Sequence, residues 1–535
     1  MKHNCYSKLS QLISNTELSA KDNLLDAVAS ANAEVIDKIS QQQPQAGHDL
    51  LTLLLPHVTQ VLPASAVVEL KPTPYQTRSK HTMTKGMRFK SNSTHPYSFI
   101  SCYDTEVLPL RVSDARYCET PTGSEVTMTL AALPGVTFAT LKLDSFTMYL
   151  QGESLLIDTL QVSLLQAAKA VSLCFNGEKY SLPLLQGTYT SPVQGLLPTY
   201  LTAQPALHYL LENLYYDERQ HFVSINGLDT VNWCGSATEL TITVHFDESI
   251  PALSQLRHDN IRLNCVPIIN LYPQTCEPIM VTAQQQDYPI TVDVNNAQCW
   301  LYDIVDVTLQ DKYGKQQRLT PVSTQGFNIT YKKTRLLSNA AYPHYSLSLQ
   351  NNYDVAPQTA AVAALVHQGN GPYDELYPGV ALTAQSGLPN DLQLSLLTRP
   401  QRASQALLDD TAIEILTIFL HQHFQSIIDH ELLKQLLTLL DVNQRYQTII
   451  ANITAINATP LAYCYKGAKV TGFTLHMTVS KSVNDMLSLR KLAGILHRFF
   501  CYYADLNTVI VLVVYSQYSD EEYTWQPLLG QKLTL

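Results

Sequence analysis

Between residues 64 and about 400 the chain repeats one arrangement: a short run in which apolar and polar residues alternate, then a break at Pro, Gly or Asn. AVVEL, TMTKGMRFKS, EVTMTL, LKLDSFTMYL, ELTITVHF and DVTLQ all follow it. Alternation with period two places the apolar side chains on one face of an extended strand, and closely spaced turn residues favour antiparallel neighbours. The region 64–400 is therefore expected to form antiparallel sheets, as two subdomains split near residues 200–230. Helices are expected to interrupt it at SLLIDTLQVSLLQAAKAV and PALHYLLENLYY, and residues 355–405 read as a loop-rich connector.

The flanks are patterned differently. In residues 1–63 the positions Leu24, Val28, Ala31, Val35 and Ile39 recur at steps of three and four, which lines one face of an α-helix. Such a stripe serves either an internal core or one strand of an intermolecular bundle. A second short helix, DLLTLLLPHV, follows the polar linker QQQPQAG. Residues 401–535 read as an α+β domain. They begin with two amphipathic helices, the first carrying Ile413, Leu416, Leu420, Phe424 and Ile427. A strand follows in which Phe473, Leu475, Met477 and Val479 share a face, then a helix from about Asn484 to Tyr503 and a buried strand, TVIVLVVY. The expected fold is thus α+β and multidomain: a helical N-terminus, a β-rich antiparallel middle and an α+β C-terminal domain.

Charged residues make up only 15% of the 535, below the ~25% usual for soluble domains, while there are 30 tyrosines. Either the source proteome is rich in polar uncharged residues, or much of this surface lies inside an assembly, where Tyr is favoured. A net charge of -10 without any Lys/Arg cluster argues against nucleic acid as a partner. The first residues lack an apolar core of signal-peptide length, and the eight-residue run TVIVLVVY is far short of the ~20 that a membrane span needs, so a cytoplasmic chain without membrane insertion is expected. The ten cysteines form no CxxC pair and read as reduced thiols.

Enzymatic motifs were sought and are missing. GSAT after Trp233 lacks the second glycine of a nucleophile elbow, and no phosphate-binding glycine loop occurs. His421 and His423 stand two apart, which on a helix turns them to opposite sides. The carboxylate pairs Asp409/Asp410 and Glu521/Glu522 flank elements and suit helix ends or solvated turns. These residues imply no catalytic group, no cofactor and no metal.

One stretch has a definite shape and no evident chemistry: LRHDNIRLNCVPIINLYPQTCEPI, Leu256 to Ile279. It resembles the most characteristic segment of the TssF (VasA/ImpG) family of type VI secretion baseplate subunits, through Asp259, Asn260, Leu263, Cys265, Pro267, Asn270, Leu271 and Tyr272. Other family-like segments follow in order. Leu55, Pro56, His57, Pro63 and Ser65 match upstream, then Gly86, Phe89, Pro109, Leu110, Ala115 and Tyr117. LKLDSFTMYLQGE follows, with Thr147 in place of the family's Arg. Gly467, Leu496, Phe499, Phe500, Asn507, Trp525, Pro527 and Gly530 match near the C-terminus. Residues 1–20 have no clear counterpart of the family's opening helix, and Ser386-Gly387 replaces its Asn-Arg.

The resemblance implies a non-enzymatic scaffold similar to the wedge proteins of contractile-phage baseplates. Two TssF copies would wrap one TssG, TssK would dock on that wedge, and wedges would surround the VgrG hub with TssE toward the sheath. The wedge would be cytoplasmic and docked to the inner-membrane complex. Leu24, Val28, Val35 and Ile39 then become candidate bundle contacts. The alternatives are a prophage tail wedge protein and a β-rich carbohydrate-acting enzyme. Within the motif, Pro267 and Pro273 are expected to bar central strand pairing and to set turns, Asn264 and Asn270 to cap unpaired backbone groups, and Cys265 to be a small buried side chain.

Overall fold

The computed structural model describes residues 56–535 except 192–194, 199–204, 283–284, 286, 294–297, 323–328, 337–341, 351–356, 386, 390, 406–427, 466–467 and 532–535. The stripe Leu24, Val28, Val35 and Ile39, the helix expected around Ile413 to Ile427, and His421 and His423 lie outside the described residues.

At the centre of the fold is a closed six-stranded antiparallel barrel. Its strands are, in order around the ring, Cys265–Ile269, Ser65–Pro72, Leu392–Leu396, Ala381–Ala384, Arg88–Ser91 and Ser98–Ser101. Ala66, Val68 and Leu70 face one way and pack with Phe89, Phe99, Val266 and Ile268, while Val67 and Ile269 join a second core on the other side. Both faces are covered, which is why SAVVEL reads as a nearly unbroken apolar run. The ring closes across the 200–230 stretch, since three of its strands end by Ser101 and three begin at Cys265 or later.

Around the barrel lie antiparallel sheets. One pairs Leu110–Thr120, Gly123–Ala132, Glu239–Phe246, Ala168–Phe175 and Glu178–Leu182; another joins Gln186–Gly187, Phe222–Ile225, Phe146–Leu150 and Ile261–Leu263. Four helices matter below: α1 (Ser154–Val162), α2 (Pro205–Tyr215), α3 (His430–Leu440) and α4 (Met486–Tyr503). The helix expected to run on from α1 instead widens into a π turn over Ser163–Ala167, and its last residues become the strand Ala168–Phe175. Of the second expected short helix, only Pro56–Thr59 lies among the described residues and is helical.

Two expectations are corrected. The stretch 355–405 is no connector: Gln358–His367 is an interior strand pairing with Trp300–Gln310 on one side and Tyr272–Thr275 on the other, and three further strands follow it. Pro267 and Pro273 both lie in strands rather than turns. Pro267 stands opposite Val67, whose N–H donates to Thr398 Oγ1 at 3.0 Å and whose carbonyl accepts from Leu397 N–H at 2.7 Å, so Val67 needs no bond from the proline. The Pro267 carbonyl still accepts from Cys102 N–H at 3.1 Å. Proline is tolerated in a ladder where the missing donor faces no required acceptor.

The C-terminal residues form a βαβ unit. Ala468–Val479 pairs in parallel with Thr508–Ser516, and α4 makes the crossover that a parallel pair requires. Leu475, Met477 and Val479 are buried on the sheet face, and Leu489, Leu492, Leu496, Phe499 and Phe500 of α4 have no exposed surface. Gly472 lets the parallel strands approach, because a Cβ there would lie 1.9 Å from the Val509 carbonyl oxygen. Gly472→Ala should therefore force the strands apart and cost roughly 1–3 kcal/mol, read as a lower denaturant midpoint with an unchanged m-value.

Candidate functional site

The segment Asp259 to Tyr272 threads three sheets, and its polar side chains serve backbone. Asn260 Nδ2 donates to the Gln151 carbonyl at 2.9 Å, and its Oδ1 accepts from Arg257 N–H at 2.9 Å. Gly152, in the left-handed region at φ +155°, leaves the room this needs, since a Cβ there would come within 2.6 Å of Asn260 Nδ2. Asn264, itself left-handed at φ +55°, closes a two-bond bracket on Leu108, with Oδ1 accepting at 2.7 Å and Nδ2 donating at 2.8 Å. Asn270 has no exposed surface; it donates to the Ser98 carbonyl at 2.7 Å and accepts from Gln368 N–H at 2.7 Å. Asp259 is exposed and contacts Arg262 at 3.2 Å.

The other motif residues pack. Leu263 and Leu271 are buried, and burial pushes the Cys265 thiol well above its ordinary pKa, which makes it a poor nucleophile. The Arg88 guanidinium lies 5.3 Å from the Tyr272 ring centre. Near the C-terminus, Asn507 stands exposed in the turn before Thr508. Gly530 packs against that turn so closely that a Cβ would lie 2.2 Å from the Asp505 carbonyl. Trp525 is buried, and its backbone N–H reaches Leu512.

Two buried polar clusters escaped the sequence reading. The first is built on α2, in which ten residues from Ala206 to Tyr215 are buried. Glu212 has no exposed surface; it pairs with Arg219, lies 3.1 Å from His208 Nε2 and accepts from Leu197 N–H at 2.7 Å. Burial alone would raise its carboxyl, but His208, Arg219 and that N–H outweigh it and bring the pKa down to about 2. His57 stacks against His208 at 4.7 Å and shares a hydrogen bond with Tyr302 Oη at 2.9 Å. Burial, with His208 beside it, lowers His57 to about 3 and so keeps it neutral.

The second cluster joins α1, the turn after α2, and the C-terminal unit. Lys491 Nζ, on α4, donates to Asp158 at 2.5 Å and to Asp217 at 3.1 Å, and Arg445 also contacts both carboxylates. His221 lies 3.4 Å from Asp158 and 3.7 Å from Asp217. Asp158, Asp217 and His221 could by spacing hold a metal ion. The Lys491 ammonium and the Arg445 guanidinium already meet both carboxylates, so a divalent cation would have to displace fixed charge that is buried with them. The sequence hint in both clusters is a charged residue among apolar helical neighbours, as Lys491 is beside Leu489 and Leu492.

With this geometry in view, the comparisons with known proteins are informative. The sequence profile of the family described as "Type VI secretion system, TssF" matches residues 22–532. The chain belongs to the TssF family. A curated relative, the type VI secretion system component TssF1 of Pseudomonas aeruginosa, is 23% identical over 296 residues, which is 51% of this chain and 48% of that protein. The match thus spans about half of this curated relative's length. Among solved structures, a chain of a TssK–TssF–TssG baseplate subcomplex superposes with a TM-score of 0.80 at 18% identity, over 96% of this chain and 99% of that one. A chain of a type VI secretion baseplate complex gives 0.63 at 16% identity, over the full length of both. These likenesses establish a shared fold.

Both clusters predict measurable effects. Lys491→Met leaves buried Asp158 and half-buried Asp217 with Arg445 alone of their two cations and should cost roughly 3 kcal/mol, with Asp158→Asn in the same chain recovering part of it, as read by chemical denaturation. For Glu212, a folded pKa of about 2 against an ordinary 4.5 means that its contribution is complete above about pH 4.5 and is lost as pH falls toward 2. The stability gap between the native chain and Glu212→Gln should therefore narrow over that window; a constant gap would show that the carboxylate is not ionised in the fold.

Proposed function

We propose that this TssF-family chain is a structural wedge subunit of a type VI secretion baseplate, acting through shape and interfaces rather than through chemistry on a substrate. The superposition with a TssF–TssG–TssK subcomplex chain over 96% of its length is the observation that carries this reading. It assembles as two copies around one TssG, with TssK docked on that wedge and TssE toward the sheath, and such wedges surround the VgrG hub, which this chain touches indirectly or at its periphery. It works in the cytoplasm, held by the baseplate against the inner-membrane complex. Among the described residues, no helix is long and apolar enough to span a membrane.

In this reading residues 1–63, 64–400 and 401–535 are the working units, and Leu24, Val28, Val35 and Ile39 make the helical bundle contact with TssG. The wider physical support is that charged groups inside the fold pair across distant segments, Glu212 with Arg219 and Asp158 with Lys491. The β-rich carbohydrate-acting alternative gains no support from the cleft beside α4, whose described lining carries a single acidic residue, Glu522.

Co-expression with the TssG of the same system should give a complex of two copies to one, measured by mass; a stable monomer that ignores TssG would count against the proposal. Replacing Val28 and Val35 together with Asp should abolish that complex while the isolated chain melts at an unchanged temperature. A fall in melting temperature would instead make the stripe internal core.

A further inference from the structure

A cleft of about 640 Å³ opens at the seam between the middle sheets and the C-terminal unit, a size that accommodates a short stretch of peptide. One wall is α4, which contributes Arg490, Gly494 and Arg498; Gln161 of α1 and Trp525 of the C-terminal tail also line it. Eight residues of helix separate the two arginines by ~12 Å along the axis.

The charges in this cleft are unbalanced. Of the described cations lining it, Lys491 and Arg219 pair with buried carboxylates. Among the described residues Arg490 has no carboxylate within ion-pair distance, although Glu248 and Glu521 lie near enough to act on its charge; its Nε donates to Gln166 Oε1 at 3.2 Å and its guanidinium lies 5.2 Å from the Tyr523 ring centre. Arg498 is half-buried and makes no hydrogen bond or ion pair among the described residues. Glu522 is the single acid in the described lining. Arg88, equally half-buried, is met by the Pro273 carbonyl and the Tyr272 ring, whereas Arg498 meets no acceptor among the described residues and Arg490 only Gln166 and the Tyr523 ring, which leaves charge for a ligand.

Two neutral atoms point the same way. Among the described residues, Gln161 Oε1, an acceptor, and Trp525 Nε1, a donor, find no hydrogen-bond partner although their residues are only 7% and 9% exposed. One unmet donor and one unmet acceptor are what a peptide backbone would satisfy. Gly494 fits this as well. A Cβ there would make only ordinary contacts, 3.6 Å from Gln166 and Trp525, so the helix's own packing does not require glycine. Glycine inside a helix costs ~0.5–1 kcal/mol relative to Ala, and its effect here is to keep the floor of the cleft open.

We propose that this cleft binds an extended acidic segment of a partner protein, with two carboxylates about four residues apart on Arg490 and Arg498 and the intervening backbone on Gln161 and Trp525. Four extended residues span ~13 Å, close to the ~12 Å that separates the Arg490 and Arg498 positions along the axis of α4. The inference rests on the scaffold reading above and adds to it a location and a ligand chemistry.

The test uses the full chain with p-benzoylphenylalanine at position 526, on the rim of the cleft, co-expressed with TssG and TssK and irradiated as the purified complex. The expected product is a crosslink to a segment of another chain that carries Asp or Glu about four residues apart. Arg498→Glu and Arg490→Glu should each lower its yield at least tenfold, and Arg498→Met, neutral and of similar length, should lower it less. Exchanging the acidic residues of the captured segment for Lys should restore the crosslink to Arg498→Glu. Crosslinks confined to this chain, a captured segment without acidic residues, or a yield indifferent to Arg498→Glu and Arg498→Met would each overturn the proposal. A complex that assembles with the crosslinker silent overturns the cleft alone, whereas absence of any complex overturns the scaffold reading.

Discussion

A carboxylate with no exposed surface stays ionised only if the fold brings it fixed positive charge and donors, and much of this protein is arranged around one such demand. Glu212 sits in a helix that is buried on nearly every side. Its partners come from the 3-10 turn that follows α2, from the loop at Leu197 and, through His208 and His57, from the start of the described chain. His57 in turn reaches Tyr302 in the sheet built on Gln358–His367. The same helix end is tied by Tyr216 Oη to the Pro63 carbonyl at 3.0 Å and by Gln401 and Asn443 to the Tyr215 carbonyl. Segments far apart in sequence thus meet on one buried helix.

The Lys491 cluster repeats this logic at the junction with the C-terminal unit. Apolar packing between α1 and α4 would tolerate small slips, because dispersion contacts are weakly directional. An ammonium held between Asp158 and Asp217 tolerates far less, since a displacement of a few ångströms leaves buried charge unpaired.

The sequence showed what short-range patterning can show. Alternation along Phe473 to Val479 and the apolar stripe of α4 translate directly into buried faces, because each depends on neighbours within a few residues. The strand Gln358–His367 was hidden by its composition. Its burial alternates cleanly, but alanine occupies both faces, so TAAVAALV carries no polar signal of period two. Pro267 misled for a different reason: whether a missing N–H matters depends on Val67, two hundred residues away, having other partners. Both ion clusters are likewise products of long-range closure, since Asp158 and Lys491 are 333 residues apart. The motif Asp259 to Tyr272 was recognisable because its asparagines meet backbone needs that leave few alternatives.

The barrel also sets a timetable. Ser65–Pro72 pairs with Leu392–Leu396, so the ring cannot close until more than three hundred further residues have been made. At ~5–20 residues per second, translation leaves that apolar strand without its neighbour for roughly 16–65 s. During this interval the nascent chain exposes SAVVEL to any competing strand edge. The level of usable protein in the cell is therefore sensitive to how well the ribosome-bound intermediate is shielded, quite apart from the stability of the finished fold.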